Sequence, residues 1–146
     1  RTCGAHFHYG YDLEETTLWS RETINTVFAK AFDFFLTIPS CLIHVDRRRF
    51  ENYGGLGQYR DTSYGLECRS LGGFFANPIY ASWIFDQSMK LIEFIKDEEN
   101  FYHLMYVEKP VVKFKAGIFT YESSCYDELK IPFEKQLIKT NKTIHV

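Results

Sequence analysis

Two histidines separated by one residue are the first feature of the sequence that could do chemistry. His6 and His8 belong to the run Gly-Ala-His-Phe-His-Tyr-Gly at residues 4–10. Alternate residues of a β-strand point to the same face, so both imidazoles would project together. Imidazole can ligate a metal ion or contact a phosphate near neutral pH. The alternative is a chance His-x-His pair in a strand, but the flanking glycines favour function because they let a nucleotide approach closely.

A glutamate and an arginine repeat this spacing later in the chain. Glu67 and Arg69 would share one face of a strand predicted over residues 64–71, and Leu66 and Cys68 would share the other. A surface ion pair of little energetic value is the alternative. Against it, a carboxylate between glycines and near an arginine-rich loop suits Mg²⁺, which takes oxygen ligands and substrate phosphates. The two motifs together predict a metal ligand set and a phosphate clamp on adjacent strands.

Arginines form a third set, which consists of Arg47, Arg48, Arg49, Arg60 and Arg69. Guanidinium binds phosphate or carboxylate through two parallel hydrogen bonds, and the glycine-rich loop at residues 53–57 lets the backbone approach a ligand. Solvated charge is the alternative for Arg47 and Arg48. It is less attractive for Arg60 and Arg69, which lie near the predicted strand. The loop is not a Walker A sequence, because no Gly-Lys-Ser or Gly-Lys-Thr follows it.

The remaining polar residues give weaker signals. The Ser-Ser-Cys run at residues 123–125 lacks the context of a nucleophile elbow, so a hydrolase triad has no support. His44, His103 and His145 are isolated, which is typical of structural or surface histidines. The acidic run Asp-Glu-Glu at residues 97–99 is interpreted as a solvated helix end.

Composition indicates one folded domain without a strongly charged partner. The chain has 146 residues with 14 Phe, 10 Tyr and 2 Trp, enough to bury a real core. The formal charge of −2, with both signs interspersed, gives no electrostatic case for nucleic acid or an anionic membrane as a partner. No apolar run approaches the roughly 18 residues of a membrane span. The four cysteines include no Cys-x-x-Cys pair, so they are predicted to be free or buried thiols in a reducing compartment.

The hydrophobic pattern predicts two amphipathic helices between short strands. Ser20 can cap the first helix, which Pro39 is expected to end, and Asn77 followed by Pro78 can cap the second. Strands are predicted at residues 2–11, 64–71 and 111–121, with a loop at residues 45–65. The residues with helical spacing are Ile24, Val27, Phe28, Ala31, Phe34, Phe35 and Ile38 in the first helix, and Ala81, Ile84, Phe85, Ser88, Leu91, Ile92 and Ile95 in the second.

Three segments together resemble a known family. They are Arg-Thr-Cys-Gly-Ala-His-Phe-His-Tyr-Gly at residues 1–10, Tyr-Gly-Gly-Leu-Gly-Gln-Tyr-Arg at 53–60 and Tyr-Gly-Leu-Glu-Cys-Arg-Ser-Leu at 64–71. They are similar to the carboxylate–amine ligases of the glutamine synthetase fold, above all to the amidoligases of phages and bacteria (the phage COOH–NH₂ ligase type). In glutamine synthetase, a Gly-x-His-x-His strand and a later Glu-x-Arg strand line the active site. The resemblance covers residues 1–95.

The resemblance implies ATP-dependent formation of an amide bond. ATP would phosphorylate a carboxylate, and an amine would then attack the acyl phosphate. Mg²⁺ or Mn²⁺ would serve as cofactor by offsetting the charge of the transferred phosphoryl group. By matching position, His6 and Glu67 would ligate a metal ion, and His8 would contact a phosphate of ATP.

The resemblance also assigns roles to the arginines. Arg49 and Arg60 would clamp phosphates, and Arg69 would hold phosphate or the substrate carboxylate. Arg60 and Arg69 are therefore the expected catalytic residues. Arg47 and Arg48 stay open as alternatives to Arg49, because the three are consecutive.

The implied fold is α+β, in which an antiparallel curved sheet with helices on its outer face forms half of a glutamine synthetase-like catalytic barrel. Residues 1–146 would be the C-terminal portion of a ligase catalytic domain, with the motifs in residues 1–96 and an extension in residues 97–146. The family takes further metal-binding glutamates from a preceding Glu-x-Glu strand, which this sequence does not contain. The chain is therefore expected to be a fragment, inactive alone, whose partner is the N-terminal half of the same protein.

The other expected partners are ATP and small-molecule or peptide substrates that supply the carboxylate and the amine. Nucleic acid and membranes are not expected, and the expected location is the cytoplasm of a bacterium or of a phage-infected host. Two other functions stay open, a non-catalytic interaction or structural module of the same fold and a simple metal-binding domain. Nucleotide-dependent metal binding would distinguish the ligase from both.

Overall fold

The structure is a computed structural model that describes residues 4–12, 18–43, 52, 54–108, 112–115 and 118–121. It is α+β, as the sequence predicts, with a three-stranded antiparallel sheet packed against helices. In this part of the chain the helices are α1 (Arg21–Phe32), α2 (Ile38–Ile43), α3 (Pro78–Ile95) and α4 (Glu98–Tyr106), and the strands are β1 (Phe7–Gly10), β2 (Tyr59–Thr62), β3 (Gly65–Cys68), β4 (Val112–Lys115) and β5 (Ile118–Tyr121).

The three-stranded sheet brings together segments that are far apart in the sequence. Strand β3 lies in the middle and pairs antiparallel with β1 and β2. His8 of β1 and Arg60 of β2 are the two register partners of Glu67 in β3. An isolated bridge between Gly4 and Gly72 extends the pairing of β1 with β3 beyond the strand ends. The register therefore aligns the histidine motif, the arginine and the glutamate side by side.

One face of this sheet packs on α1 through aromatic side chains. The ring centroids of Tyr9 and Phe28 are 4.5 Å apart, and those of Phe7 and Phe32 are 6.0 Å apart. Leu66, the register partner of Tyr9, is buried in the same core. Full burial of such an apolar side chain contributes about 1.5–3 kcal/mol. This apolar face fixes the sheet on the helices and leaves the opposite face for the polar residues.

The first helix begins as predicted but does not end as predicted. The Ser20 hydroxyl accepts a hydrogen bond from a backbone N–H of the first turn at 3.1 Å, which confirms the cap. The expectation that Pro39 ends the helix is wrong. Residues Asp33–Thr37 form a π-helical turn, and α2 continues from Ile38, whose N–H donates to the first residue of that turn. Pro39, which has no N–H, therefore lies in the first turn of a new helical segment, where no N–H partner is required.

The second predicted helix is α3, and its cap is confirmed. The Asn77 side chain accepts hydrogen bonds from two backbone N–H groups of the first turn, and Pro78 occupies the first helical position. The predicted apolar face is buried at Ile84 and Leu91, whereas Phe85 is 49 % exposed. None of the described helices is long and apolar enough to cross a lipid bilayer.

Three further regions of the chain differ from the sequence prediction. Strand β2 lies inside the predicted loop at residues 45–65; as an edge strand with exposed polar residues it lacks apolar alternation. Helix α4 begins within the acidic run, in a region where no helix was expected. Its apolar period is weak, because Leu104 is its one buried residue. The single strand predicted at residues 111–121 is the antiparallel pair of β4 and β5.

Two other predictions are confirmed within the described residues. Asp97 is exposed and caps α4 by accepting the Asn100 N–H at 3.1 Å, so the acidic run is a solvated helix end. Cys41 and Cys68 are free thiols. Burial raises the pKa of the Cys41 thiol to about 12 and raises that of Cys68 well above its ordinary value. Cys3, Cys125 and the Ser-Ser-Cys run lie outside the described residues.

Candidate active site

The polar face of the three-stranded sheet is centred on Glu67. Because side chains alternate along a strand, Glu67 and Arg69 point to the face opposite the aromatic core, as predicted. Arg60 reaches the same face as a register partner of Glu67. His6 precedes β1 by one residue and reaches this face as well, because its side chain contacts Glu67. Three separate segments thus supply one cluster.

Glu67 is a buried carboxylate surrounded by cationic and imidazole groups. His6 Nδ1 lies 2.6 Å from Glu67 Oε1, and the Arg60 guanidinium contacts Oε2. Arg69 Nε lies 3.7 Å from Oε1. The glutamate is 1 % exposed, so the alternative of a surface ion pair is wrong. Burial of a carboxylate is unfavourable unless it is paired and hydrogen-bonded, and these three side chains supply that pairing.

His8 contacts a different residue although it is the register partner of Glu67. Its Nδ1 lies 2.6 Å from the hydroxyl oxygen of Tyr64, which is in the turn between β2 and β3. Both side chains are exposed. Tyr64 was not predicted as a site residue. Its contact joins residues 56 positions apart, and one tyrosine among ten carries no local signal of it.

Gly65 allows β1 and β3 to approach closely at the edge of this site. Its φ is +154°, a conformation that side-chain-bearing residues rarely adopt. A Cβ at this position would lie 2.0 Å from the Tyr9 carbonyl oxygen. The Tyr11 N–H also donates to the Tyr64 carbonyl at 3.0 Å. The turn that carries Tyr64 is therefore fastened to the end of the strand that carries His8.

The described part of the glycine-rich loop is attached to the π-helical turn. Gly57 has a φ of +72°, and its N–H donates to Asp33 Oδ2 at 2.5 Å. The Arg69 N–H donates to the Gln58 carbonyl at 3.0 Å, which continues the pairing of β2 with β3. Asp33 is 3 % exposed and was not predicted to have this role. The loop backbone thus enters β2 in a fixed direction just before Arg60.

Polar contacts on the other side of the sheet join β2 to α1. Asn25, which is fully buried, donates to Asp61 Oδ1 and accepts from the Tyr11 hydroxyl, both at 2.6 Å. Arg21 donates to the Thr62 carbonyl at 2.6 Å. These bonds help to fix the strand that carries Arg60.

Four of the six predicted site residues lie together on the polar face. They are Glu67 and the three residues whose side chains surround its carboxylate, His6, Arg60 and Arg69. His8 is the fifth, and its side chain contacts Tyr64. Arg49, with its alternatives Arg47 and Arg48, lies outside the described residues, as do His44 and His145. His103 lies in α4, is exposed and forms no part of this cluster.

The cluster fits part of a metal ligand set. His6 offers an imidazole nitrogen and Glu67 offers two carboxylate oxygens, which are donor types that divalent metals accept. Among the described residues, no group of three or more His, Cys, Asp or Glu side chains could enclose a metal ion. Two donors do not complete the six-coordinate shell of Mg²⁺, so the remaining ligands would have to be phosphates, water or further residues.

Comparison with protein families places the chain among the carboxylate–amine ligases, which confirms the resemblance seen in the sequence. It belongs to the family of phage phiEco32-like COOH.NH2 ligases of type 2, whose family model matches residues 2–113. The family name indicates an enzyme that joins a carboxylate to an amine. No curated protein and no solved structure matches the chain.

Proposed function

We propose that the chain contributes the polar face of an active site that forms an amide by ATP-dependent activation of a carboxylate. The observation that carries the proposal is the buried Glu67 carboxylate held between Arg60 and His6 on this face, in a chain of a carboxylate–amine ligase family. Direct condensation of a carboxylate with an amine is unfavourable in water, so a ligase needs an activated acyl group. Phosphorylation by ATP supplies it.

The proposed reaction has two steps. A carboxylate oxygen of the substrate attacks the γ-phosphorus of ATP, the bond to ADP breaks, and an acyl phosphate forms. The amine nitrogen then attacks the acyl carbon, inorganic phosphate leaves, and the amine loses a proton to give the amide. Charge on the transferring phosphoryl oxygens is the main barrier that protein groups can lower, and guanidinium groups suit it.

Arg60 and Arg69 are the residues proposed to stabilise these oxygens. The Arg60 side chain is 62 % exposed although its end contacts Glu67, so it can reach a ligand above the sheet without disturbing the core. Arg69 is 30 % exposed and lies farther from the Glu67 carboxylate. A bound triphosphate would offer Arg60 a second anionic partner. Movement of Arg60 toward phosphate would leave Glu67 Oε2 available to a cation.

His6 and Glu67 are the residues proposed to hold Mg²⁺ or Mn²⁺. When bound, such an ion would offset the negative charge of the phosphates and orient them. Since these two residues supply only part of a ligand shell, the remaining ligands would be phosphates, water or further residues. We propose that these include Glu-x-Glu carboxylates from another segment, so that this chain alone has little activity. A complete glutamine synthetase-like barrel, of which this sheet would be part, is the architecture we propose.

Titration with Mg²⁺ and the ATP analogue AMP-PNP tests the proposal. We expect AMP-PNP binding that requires Mg²⁺, measured by calorimetry on this chain and on the full-length gene product. Glu67→Gln keeps the shape of the side chain but removes its charge, and we expect it to weaken Mg²⁺-dependent binding about 10- to 100-fold. Glu93→Gln is the matched control, because Glu93 is exposed and pairs with Lys96 on α3.

The same titration distinguishes the other functions. A simple metal-binding domain would bind the metal equally well with and without the nucleotide. A non-catalytic module would bind neither. If neither protein binds Mg²⁺ with AMP-PNP, and the full-length product shows no ATP turnover with any carboxylate and amine tested, the proposal is wrong. The class of the two substrates, the cytoplasmic location and the division of the chain at residue 96 stay predictions.

A further inference from the structure

The hydroxyl of Tyr64 contacts one histidine of the pair, and the assigned roles make no use of this contact. Its oxygen lies 2.6 Å from His8 Nδ1, and the two ring centroids lie 6.1 Å apart. Tyr64 is 50 % exposed and His8 is exposed. The contact between Tyr64 and His8 is therefore not a consequence of core packing. A role at the polar face explains it better than a structural role in the core.

The backbone holds Tyr64 in this position. The Tyr64 carbonyl accepts a hydrogen bond from the Tyr11 N–H at 3.0 Å. The next residue, Gly65, lies so close to β1 that an added Cβ would be 2.0 Å from the Tyr9 carbonyl oxygen. Both features tie the turn between β2 and β3 to β1, the strand that carries His8. The phenol is thus directed to the imidazole by the fold of the sheet edge.

The two histidines present the same ring nitrogen to partners of different chemistry. His6 Nδ1 lies 2.6 Å from a carboxylate oxygen of Glu67. An ionised carboxylate only accepts hydrogen bonds, so Nδ1 of His6 carries the proton and a neutral ring has its lone pair on Nε2. This hydrogen bond belongs to the metal-free protein, because an ion held by both His6 and Glu67, as proposed, would have to take the place of the Nδ1 proton. His8 Nδ1 faces a phenol instead, which can accept a hydrogen bond or donate one. Donation by the phenol places the proton of a neutral His8 ring on Nε2.

We infer that Tyr64 is a positioning residue that donates to His8 Nδ1, holds neutral His8 as the Nε2–H tautomer and thereby presents an N–H donor to a phosphate group. The identity of this anion as a nucleotide phosphate rests on the proposed function. A protonated Nε2 donates to a phosphate oxygen and cannot ligate a metal through that atom. The proposed function makes His6 the metal ligand of the pair, and the phenol partner makes His8 the phosphate donor.

Nitrogen NMR of the imidazole rings tests the tautomers directly. The whole chain labelled with ¹⁵N-histidine is measured with EDTA present, at a pH at which the ¹⁵N shifts of both rings are those of the neutral form. His6→Gln and His8→Gln assign the two signals. We expect His6 to be protonated on Nδ1 and His8 on Nε2. In Tyr64→Phe, His8 becomes a mixture of tautomers while His6 is unchanged. The control Tyr106→Phe removes an exposed phenol elsewhere and leaves both signals unchanged.

Binding of AMP-PNP in the presence of Mg²⁺ tests the consequence for the anion. We expect Tyr64→Phe to weaken it about three- to tenfold, the effect of one neutral hydrogen bond that no longer holds the donor. We expect Tyr106→Phe to bind like the wild type. Thermal unfolding of each variant accompanies the titration, and unchanged midpoints exclude a loss of structure as the cause.

The outcomes separate this inference from the proposed function. Protonation of wild-type His8 on Nδ1, or an identical His8 signal in Tyr64→Phe, overturns the positioning role whatever the binding result. Equal AMP-PNP affinity of the wild type and Tyr64→Phe overturns the role in anion contact and leaves the proposed function intact. A wild type that binds no AMP-PNP while His8 is protonated on Nε2 contradicts the proposed function and supports the pairing of Tyr64 with His8.

Discussion

Glu67 is the residue at which the charges of the polar face converge. Its carboxylate is almost completely buried, and the groups that compensate its charge come from β2 and from the residues next to β1 and β3. Removal of a carboxylate from water is costly, and the attraction of nearby cations offsets this only when the geometry is good. The same negative charge that attracts Arg60 would attract a divalent cation. Structural stability and the proposed ligand function therefore depend on one side chain.

A double-mutant cycle at Arg60 and Glu67 measures this dependence. We expect Arg60→Met to lower the free energy of unfolding by about 1–2 kcal/mol, because it leaves a buried carboxylate short of one partner while Arg60 itself is largely exposed. In the background of Glu67→Gln the same change should cost much less, with a coupling energy of about 1 kcal/mol. Urea denaturation of the four proteins gives these values.

Lys96→Met and Glu93→Gln form the matched control cycle. This pair is exposed on both sides and separated by 2.9 Å, so its coupling should stay below about 0.5 kcal/mol. A coupling at Arg60 and Glu67 as small as that of the control pair would show that Arg60 does not compensate the buried charge.

At the scale of elements, a few polar contacts hold helices and strands in place beside the apolar core. Lys30 of α1 is buried, and its ammonium group donates to the carbonyls of Leu104 and Val107 at 2.7 Å each. It thus satisfies carbonyl groups at the C-terminal end of α4, where a positive charge is favourable. The Asn25 side chain likewise links α1 to β2. Such links join segments that local sequence patterns treat as independent.

Gly65 and Gly72 provide a test of the close approach between β1 and β3. We expect Gly65→Ala to lower the free energy of unfolding by at least about 3 kcal/mol, because its φ is unfavourable for alanine and the new Cβ would meet the Tyr9 carbonyl oxygen at 2.0 Å. At Gly72 no atom lies within 4 Å of an added Cβ, so Gly72→Ala should change stability by less than about 1 kcal/mol. Equal effects of the two substitutions in urea denaturation would contradict the role assigned to Gly65.

At the scale of the whole molecule, local signals in the sequence predicted the helices better than the strands. The caps at Ser20 and Asn77 and the apolar spacing of α1 and α3 are contained within short windows, so they could be identified without tertiary information. Strand β2 could not, because it is polar and acquires its structure by pairing with β3. The π-helical turn could not be identified from the sequence either, because Asp33 accepts a hydrogen bond from the N–H of Gly57, which lies 24 residues away.

The candidate site, like the fold, was predicted where the signal is local and missed where it depends on tertiary contacts. Strand alternation placed Glu67 and Arg69 on one face, and that prediction is confirmed. Arg60 was singled out because it lies near the predicted strand, and the resemblance to a family gave it a phosphate-binding role, but neither predicted its contact with Glu67. The contact of Tyr64 with His8 depends on the register of β1 with β3 and on the close approach at Gly65, both of which are tertiary properties. Such contacts become visible only when the sheet is assembled.

Stability at alkaline pH tests the packing of the core as a whole. Burial raises the pKa of the Cys41 thiol and of the Tyr80 phenol to about 12, and it raises those of Cys68 and Tyr9 well above their ordinary values. Between the ordinary and the raised pKa, the unfolded chain has lost these protons while the folded chain keeps them. Fewer protons on the unfolded state mean that stability falls as pH rises.

We therefore expect the free energy of unfolding to be flat with respect to these groups below about pH 8 and to decline above it, as cysteines and then tyrosines of the unfolded chain ionise. Each group contributes up to about 1.4 kcal/mol per pH unit once its unfolded form is ionised.

Tyr9→Phe removes one of these groups. Its free energy of unfolding should therefore decline less steeply above pH 10, by up to about 1.4 kcal/mol per pH unit. At pH 7 the variant should be less stable than the wild type, because it lacks the 2.7 Å hydrogen bond between Tyr9 and Ser88. Tyr106→Phe removes an exposed phenol and is the control for the substitution itself. Urea denaturation at a series of pH values from 7 to 11 gives the slopes, and identical slopes for wild type and Tyr9→Phe would mean that the Tyr9 hydroxyl is not desolvated in the folded core.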